Sequence, residues 1–116
     1  MNDLEITKLC AEASELRYKE RDGSVVVYSH EKFLPGEGGS GEFIECFNKY
    51  DPLHDDAQAM ALVKKFFLKV YFFGNDKSAE WICCEHDSSS SWRASPDLNR
   101  AICECVAKMQ AAKEVA

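Results

Sequence analysis

Four short runs rich in β-branched and aromatic residues limit what this chain can fold into: SVVVYS (24–29), FIECF (43–47), LKVYFF (68–73) and AEWICC (79–84). Each has the length of a strand and is too short for a helix. They fall in two pairs, separated and flanked by three segments of helical periodicity. In the first segment Ile6, Leu9, Cys10, Ala13 and Leu16 recur at helix spacing, and Asn2 with Glu5 three residues on forms a capping box. The middle segment carries Ala59, Leu62, Val63 and Phe66 on one face. Pro52 sits in its expected first turn, where a missing N–H costs nothing, and Asp55 and Asp56 lie near the positive end of the helix dipole. The last segment aligns Leu98, Ala101, Ile102, Cys105 and Met109, with Ser95 as the expected cap and Pro96 as the first helical residue.

The expected order is therefore α-β-β-α-β-β-α. Hairpin-type connections point to an α+β fold, a mainly antiparallel sheet packed with helices. All 116 residues fit one domain, residues 1–116, with a radius of gyration of roughly 13 Å if it packs as a globule. Segment 35–42 holds four of the six glycines and is expected to be a mobile loop. The tail 111–116 is expected to fray.

Charge narrows the partners. Fourteen Lys and Arg against twenty Asp and Glu leave a net charge of −6. A nucleic-acid backbone would be repelled, so no direct nucleic-acid contact is expected. No apolar run approaches the ~20 residues of a membrane span, so no membrane partner is expected either. Six cysteines would suit a disulfide framework in a secreted chain. The opening Met-Asn-Asp-Leu-Glu has neither the basic nor the apolar region of a signal peptide. The expectation is six reduced thiols in a cytoplasmic protein.

Several residue groups could carry chemistry, and each has a plainer reading. Gly36-Glu37-Gly38-Gly39-Ser40-Gly41 matches the dinucleotide-binding glycine pattern literally. However, Pro35 precedes it, no helix pattern follows, and Glu37 and Glu42 would repel phosphate. Adjacent Cys83-Cys84 and the Cys103-x-Cys105 pair have the wrong spacing to chelate one tetrahedral ion. Asp55 and Asp56 beside His54 are explained by helix-start electrostatics. Neither metal nor cofactor is expected. Cys84 and His86 lie two apart on a strand and could form a thiol–imidazole pair. Trp92-Arg93 lies in a polar serine-rich connection where no core stripe requires an aromatic residue, and both types are enriched at binding hot spots. Tyr71, Phe72 and Phe73 cannot share one face of a strand: either both sheet faces are covered or an aromatic surface serves association.

Two stretches resemble a known group. Tyr50-Asp51-Pro52-Leu53-His54-Asp55-Asp56-Ala57-Gln58-Ala59-Met60 is similar to an aromatic–Asp–Pro turn leading into an Asp-Ala-x-Ala helix. Pro96-Asp97-Leu98-Asn99-Arg100-Ala101-Ile102-Cys103-Glu104-Cys105-Val106-Ala107 resembles the closing helix of the same group. The group is that of small bacteriophage and prophage proteins described as "phage ABA sandwich" or NinX-like, which carry no settled activity and so transfer no catalytic residues. The resemblance implies a non-enzymatic, phage- or prophage-encoded binding protein, a counter-defence inhibitor of the anti-CRISPR kind, that occludes a host protein or defence complex. Candidate contacts are Glu37, Glu42 and Glu45 near the glycine-rich loop, with Trp92 and Arg93. Two alternatives remain open: an oligomeric sponge for a small nucleotide signal, and a thiol-dependent enzyme using Cys84 and His86.

Overall fold

The computed structural model describes residues 1–75, 78–85 and 93–115. Among the described residues, three α-helices, a short 3-10 turn over Glu37–Gly39 and two separate three-stranded antiparallel sheets make a mixed α+β fold. Helix α1 spans Asp3–Ala13, strand β1 Tyr18–Arg21, β2 Ser24–Pro35 and β3 Gly41–Tyr50. Helix α2 follows over Asp56–Phe66, then β4 Lys69–Asn75, β5 Ser78–Cys84, β6 Arg93–Ser95 and helix α3 Leu98–Val115. The sheets are ordered β1-β2-β3 and β4-β5-β6, so each expected hairpin gains a short third strand.

Helix α3 is the wall shared by both halves. Ala101, Ile102, Cys103, Cys105, Val106 and Ala107 are all buried, a band too wide for a one-sided amphipathic helix. One side of α3 packs on α1 and α2, and another on β5 and β6. Its cysteines mark the two contacts. Cys10 on α1 donates its Sγ–H to the Cys103 carbonyl at 3.5 Å, while Cys105 meets Cys83 on β5. Small apolar thiols let the backbones approach at both surfaces. Val25 and Tyr50, from the base of the first sheet, complete the core on the α1 side.

The helix ends follow local chemistry, with corrections at each helix, Pro96 among them, since α3 begins at Leu98. Asn2 caps α1 as expected, its Oδ1 accepting from Glu5 N at 2.8 Å. Pro52 does not begin α2. Residues 52–54 form a turn, and Asp55 is the cap, accepting from Gln58 N at 3.0 Å. Asp97, rather than Ser95, caps α3, accepting from Asn99 N at 3.1 Å, because Ser95 closes β6 and receives the Asp97 N–H instead. Helix α3 then runs through Val115. Leu16 also leaves the core stripe, since α1 stops at Ala13 and Leu16 is exposed.

The overall shape is not a globule. The radius of gyration is 17.6 Å and the principal extents are 67 × 36 × 25 Å. The β2–β3 hairpin accounts for the excess length. Its base pairs with β1 and covers the core, but from Ser29 to Cys46 only Cys46 is even partly buried.

Candidate functional site

The hairpin beyond Tyr28 is an arm of two strands. Its root is fixed by three cation–aromatic contacts on the face turned away from the core. The Arg17 guanidinium lies 5.1 Å from the Tyr28 ring centre and 5.9 Å from that of Phe47. The Lys19 ammonium lies 4.0 Å from the Phe47 ring centre, and Tyr28 and Phe47 meet edge-to-face at 6.0 Å. Arg17 also donates to Glu45 Oε2, and hydrogen bonding and attraction to Glu45 raise the guanidinium pKa further. Both partners are solvent-exposed, so the ion pair itself adds little stability. It does orient the first acidic residue of the arm.

A bulge follows. The pairing runs Tyr28 to Phe47, then skips Ser29 and resumes as His30 to Cys46. The Ser29 hydroxyl donates to the Cys46 carbonyl at 3.2 Å and sits 2.8 Å from His30 Nδ1. Bulges bend a strand and tighten its twist. Beyond it, Glu31 stands opposite Glu45, and Phe33 opposite Phe43. Like charges directly opposed across a strand pair are unfavourable. The phenyl rings meet at 5.1 Å yet stay exposed, Phe33 by 50% and Phe43 by 69%. The other face carries Lys32 opposite Ile44 and Leu34 opposite Glu42. Residues 29–46 hold four glutamates against one lysine, a net charge of −3 with histidine neutral.

The tip is tighter than a loop over 35–42. Both strands run to the ends of that segment, leaving residues 36–40 to turn. Gly36 N donates to the Ser40 carbonyl at 2.6 Å, and the Ser40 hydroxyl donates to the Glu37 carbonyl at 2.6 Å. Gly38 and Gly39 take φ of +67° and +82°, a region open chiefly to glycine. Gly41 serves a different purpose: the Phe33 ring lies where its Cβ would be, so the bare backbone is covered by an aromatic from the next strand.

Of the expected contact residues, Glu37, Glu42 and Glu45 come together along this one arm. Arg93 does not join them. It starts β6 in the other sheet and borders a cavity of about 210 Å³ with Met1, Ile6 and Glu104. Trp92 and His86 lie outside the described residues. The exposed Phe33, Phe43, Leu34 and Ile44 are the residues that sequence reasoning missed. Their alternation was visible in part, but nothing marked it as facing solvent instead of a core.

The thiols other than Cys46 lie elsewhere in the fold, as do His54, Asp55 and Asp56. All six cysteines are free thiols, four of them buried. The contact with Cys105 together with burial pushes the Cys83 thiol up, and the contact with Cys10 together with burial does the same for Cys103. A raised thiol pKa leaves less of the nucleophilic thiolate. No group of three or more potential metal ligands occurs among the described residues. His54 Nδ1 instead sits 3.0 Å from Asp51 Oδ2. A cleft of about 160 Å³ lies beside Asp3, Lys49, Tyr50 and His54, and a larger, open one of about 470 Å³ lies at the tip of the arm beside Leu34, Pro35, Gly36, Ser40, Gly41 and Glu42. None of the described helices is long and apolar enough to cross a membrane. Comparison with known proteins finds no matching family model, no matching curated protein and no matching solved structure.

Proposed function

We propose that this chain is a non-enzymatic binding protein whose β2–β3 arm docks on a basic, partly apolar surface of another protein. One observation carries the reading: an outlying hairpin holds an exposed Phe33–Phe43 pair directly beside the opposed Glu31 and Glu45. An isolated two-stranded hairpin is marginally stable in water, and the Phe33–Phe43 contact braces it while leaving most of both rings in solvent. A cationic partner would relieve the repulsion between Glu31 and Glu45 and cover both rings. The clamp at the root keeps the arm preorganised, which lowers the entropic cost of docking. In the same proposal, the resemblance to phage proteins makes the partner a host protein in an infected bacterium, with the arm occluding a surface used in defence.

The test compares the wild-type chain with two variants in pull-downs from bacterial lysate at low and moderate salt. One variant is Phe33→Ser/Phe43→Ser and the other Glu31→Gln/Glu42→Gln/Glu45→Gln. The expected result is a stoichiometric partner lost with the first variant. With the second, it should bind more weakly and with a shallower salt dependence. Identical retention by all three chains overturns the assignment to the arm.

A further inference from the structure

Strand β4 is a different kind of surface. Among the described residues the two strand orders end in β1, β3, β4 and β6. Beyond β1 the arm also leaves the β2 edge open, where Glu31, Lys32 and Pro35 guard it. Of the four end strands, three are protected against adding another strand. Strand β1 has four residues, of which Lys19, Glu20 and Arg21 are charged. Strand β3 carries Glu42, Glu45 and Lys49 along its length. Strand β6 has only three residues. Short length and interspersed charge are the usual guards of a sheet edge. Strand β4 has seven residues, no proline, and one charge, Lys69, at its very first position. Among the described residues it pairs with β5 alone, so its second row of backbone N–H and C=O groups has no strand beside it. Its aromatics are open as well, Tyr71 by 49%, Phe72 by 53% and Phe73 by 67%.

We propose that β4 pairs with β4 of a second copy of this chain, joining two three-stranded sheets into one of six across a two-fold axis. The strand is complementary to itself in one antiparallel register. Centring the axis on Phe72 sets Phe72 against its own copy and Tyr71 against Phe73. It also sets Val70 against Gly74 and Lys69 against Asn75. No like charges face each other. Tyr71 and Phe73 share the face that also carries Ile82 and Glu80, as the β4–β5 register shows. Every outer-face aromatic would then gain an aromatic cross-strand neighbour. On the opposite face Phe72 already meets Trp81 edge-on at 5.2 Å, so pairing extends this into a row of four rings. Bulky Val70 would lie beside a residue with no side chain.

The charges fit as well. Although the chain is acidic, β4 is not. The two Lys69 residues would stand roughly 20 Å apart at opposite ends of the paired stretch, beyond the ~8 Å screening length. Each would share the outer face with Glu80 of the other copy. The Cα atoms of that pair would be about 12 Å apart by ordinary strand spacing and rise, within the combined reach of the two side chains. The arm, with its opposed glutamates, is the part of the molecule least suited to meeting its own copy.

The experiment is light scattering coupled to size exclusion on the full chain at micromolar concentration. The expected mass is twice the 13.1 kDa of one chain. Tyr71→Lys/Phe73→Lys places lysines opposite each other in the proposed register, and Tyr71→Glu/Phe73→Glu does the same with glutamates. Each variant alone should elute as a monomer with an unchanged circular-dichroism spectrum. Mixing the two should restore the doubled mass, because each lysine then faces a glutamate. A monomeric wild type, a dimer that survives either double substitution, or a mixture that stays monomeric overturns the proposal. The Phe33→Ser/Phe43→Ser arm variant should remain dimeric, and its dissociation would also overturn the proposal. The dimer and the arm's partner are therefore read by separate variants, and each can fail alone.

Discussion

The two sheets have the same strand number and the same simple antiparallel order, yet their central hairpins are built to opposite ends. The β2–β3 hairpin leaves the core, and its outlying part carries four glutamates and a root held by Arg17 and Lys19. The β4–β5 hairpin stays on the body, where Cys83 is fully buried against α3 and Val70 packs on the core. Aromatic residues are exposed in both. In the arm they sit among carboxylates that resist self-association. On β4 they sit along an unguarded edge that invites it. Exposed apolar surface thus acquires a partner class from the charges around it.

The largest test of this comparison strikes what the two hairpins share. Ile102 on α3 is 1% exposed. Ile102→Ala should cost about 2–5 kcal/mol, the usual range for truncating a buried aliphatic side chain. Chemical denaturation followed by near-ultraviolet and far-ultraviolet circular dichroism should show one coincident, shifted transition. Separate transitions for the two sheets would break the claim that α3 unites them.

Next in size is Phe72→Ala. It removes the edge-on contact with Trp81 and should cost about 1 kcal/mol, since such ring pairs contribute roughly 0.5–1.5 kcal/mol beyond their area. The matching arm substitution, Phe43→Ala, should shift the denaturation midpoint by less than half as much. Equal shifts would erase the distinction between a ring that braces the body and one held out for a partner.

Arg17→Ala should leave global stability almost unchanged, because its ion pair and ring contacts are exposed. Its effect should be local. Amide hydrogen exchange across residues 30–46 should accelerate while β4 and β5 stay protected. Uniform acceleration would mean the root does not hold the arm separately.

The smallest effect is a pH dependence at the arm's base. The Tyr18 hydroxyl donates to Glu12, and that hydrogen bond, followed by burial, pushes the phenol up to about 12. A phenol whose pKa is higher in the folded chain than in the unfolded one stabilises the fold below the unfolded value of about 10. That contribution then fades as pH rises through about 12. Burial pushes the Tyr50 phenol up as well, so tyrosinate absorbance should show two late-titrating groups, of which Tyr18→Phe removes one. An unchanged titration would count against the Tyr18–Glu12 bond.

Much of the body could be read from the sequence, and the arm could not. The α3 stripe, the Asn2 cap and the four strand runs follow from periodicity and capping chemistry, because packing against one core imposes both. Strands β1 and β6, Tyr-Lys-Glu-Arg and Arg-Ala-Ser, have no such signature; a neighbouring strand makes them strands. Pro35 and Gly41 read as loop residues, and in a hairpin without a core they end strands just as well. Of the candidate contacts, Glu37 lies in the tip and Glu42 and Glu45 on β3, near the glycine-rich turn as their places in the sequence suggest. Phe33 and Phe43 were missed because an exposed aromatic and a buried one are spelled alike. Arg93 was misplaced because adjacency in sequence to Trp92 says nothing about which sheet β6 joins.

The bulge at Ser29 has a consequence for how such a protein changes over generations. Deleting that residue would leave Glu31 opposite Glu45 and Phe33 opposite Phe43, since the pairing already skips it. The bend would go, and with it the Ser29 hydroxyl's contacts to the Cys46 carbonyl and His30. The direction in which the arm points is therefore encoded apart from the residues it carries. A lineage can re-aim the same grip with one codon, or rewrite the grip without moving the hinge.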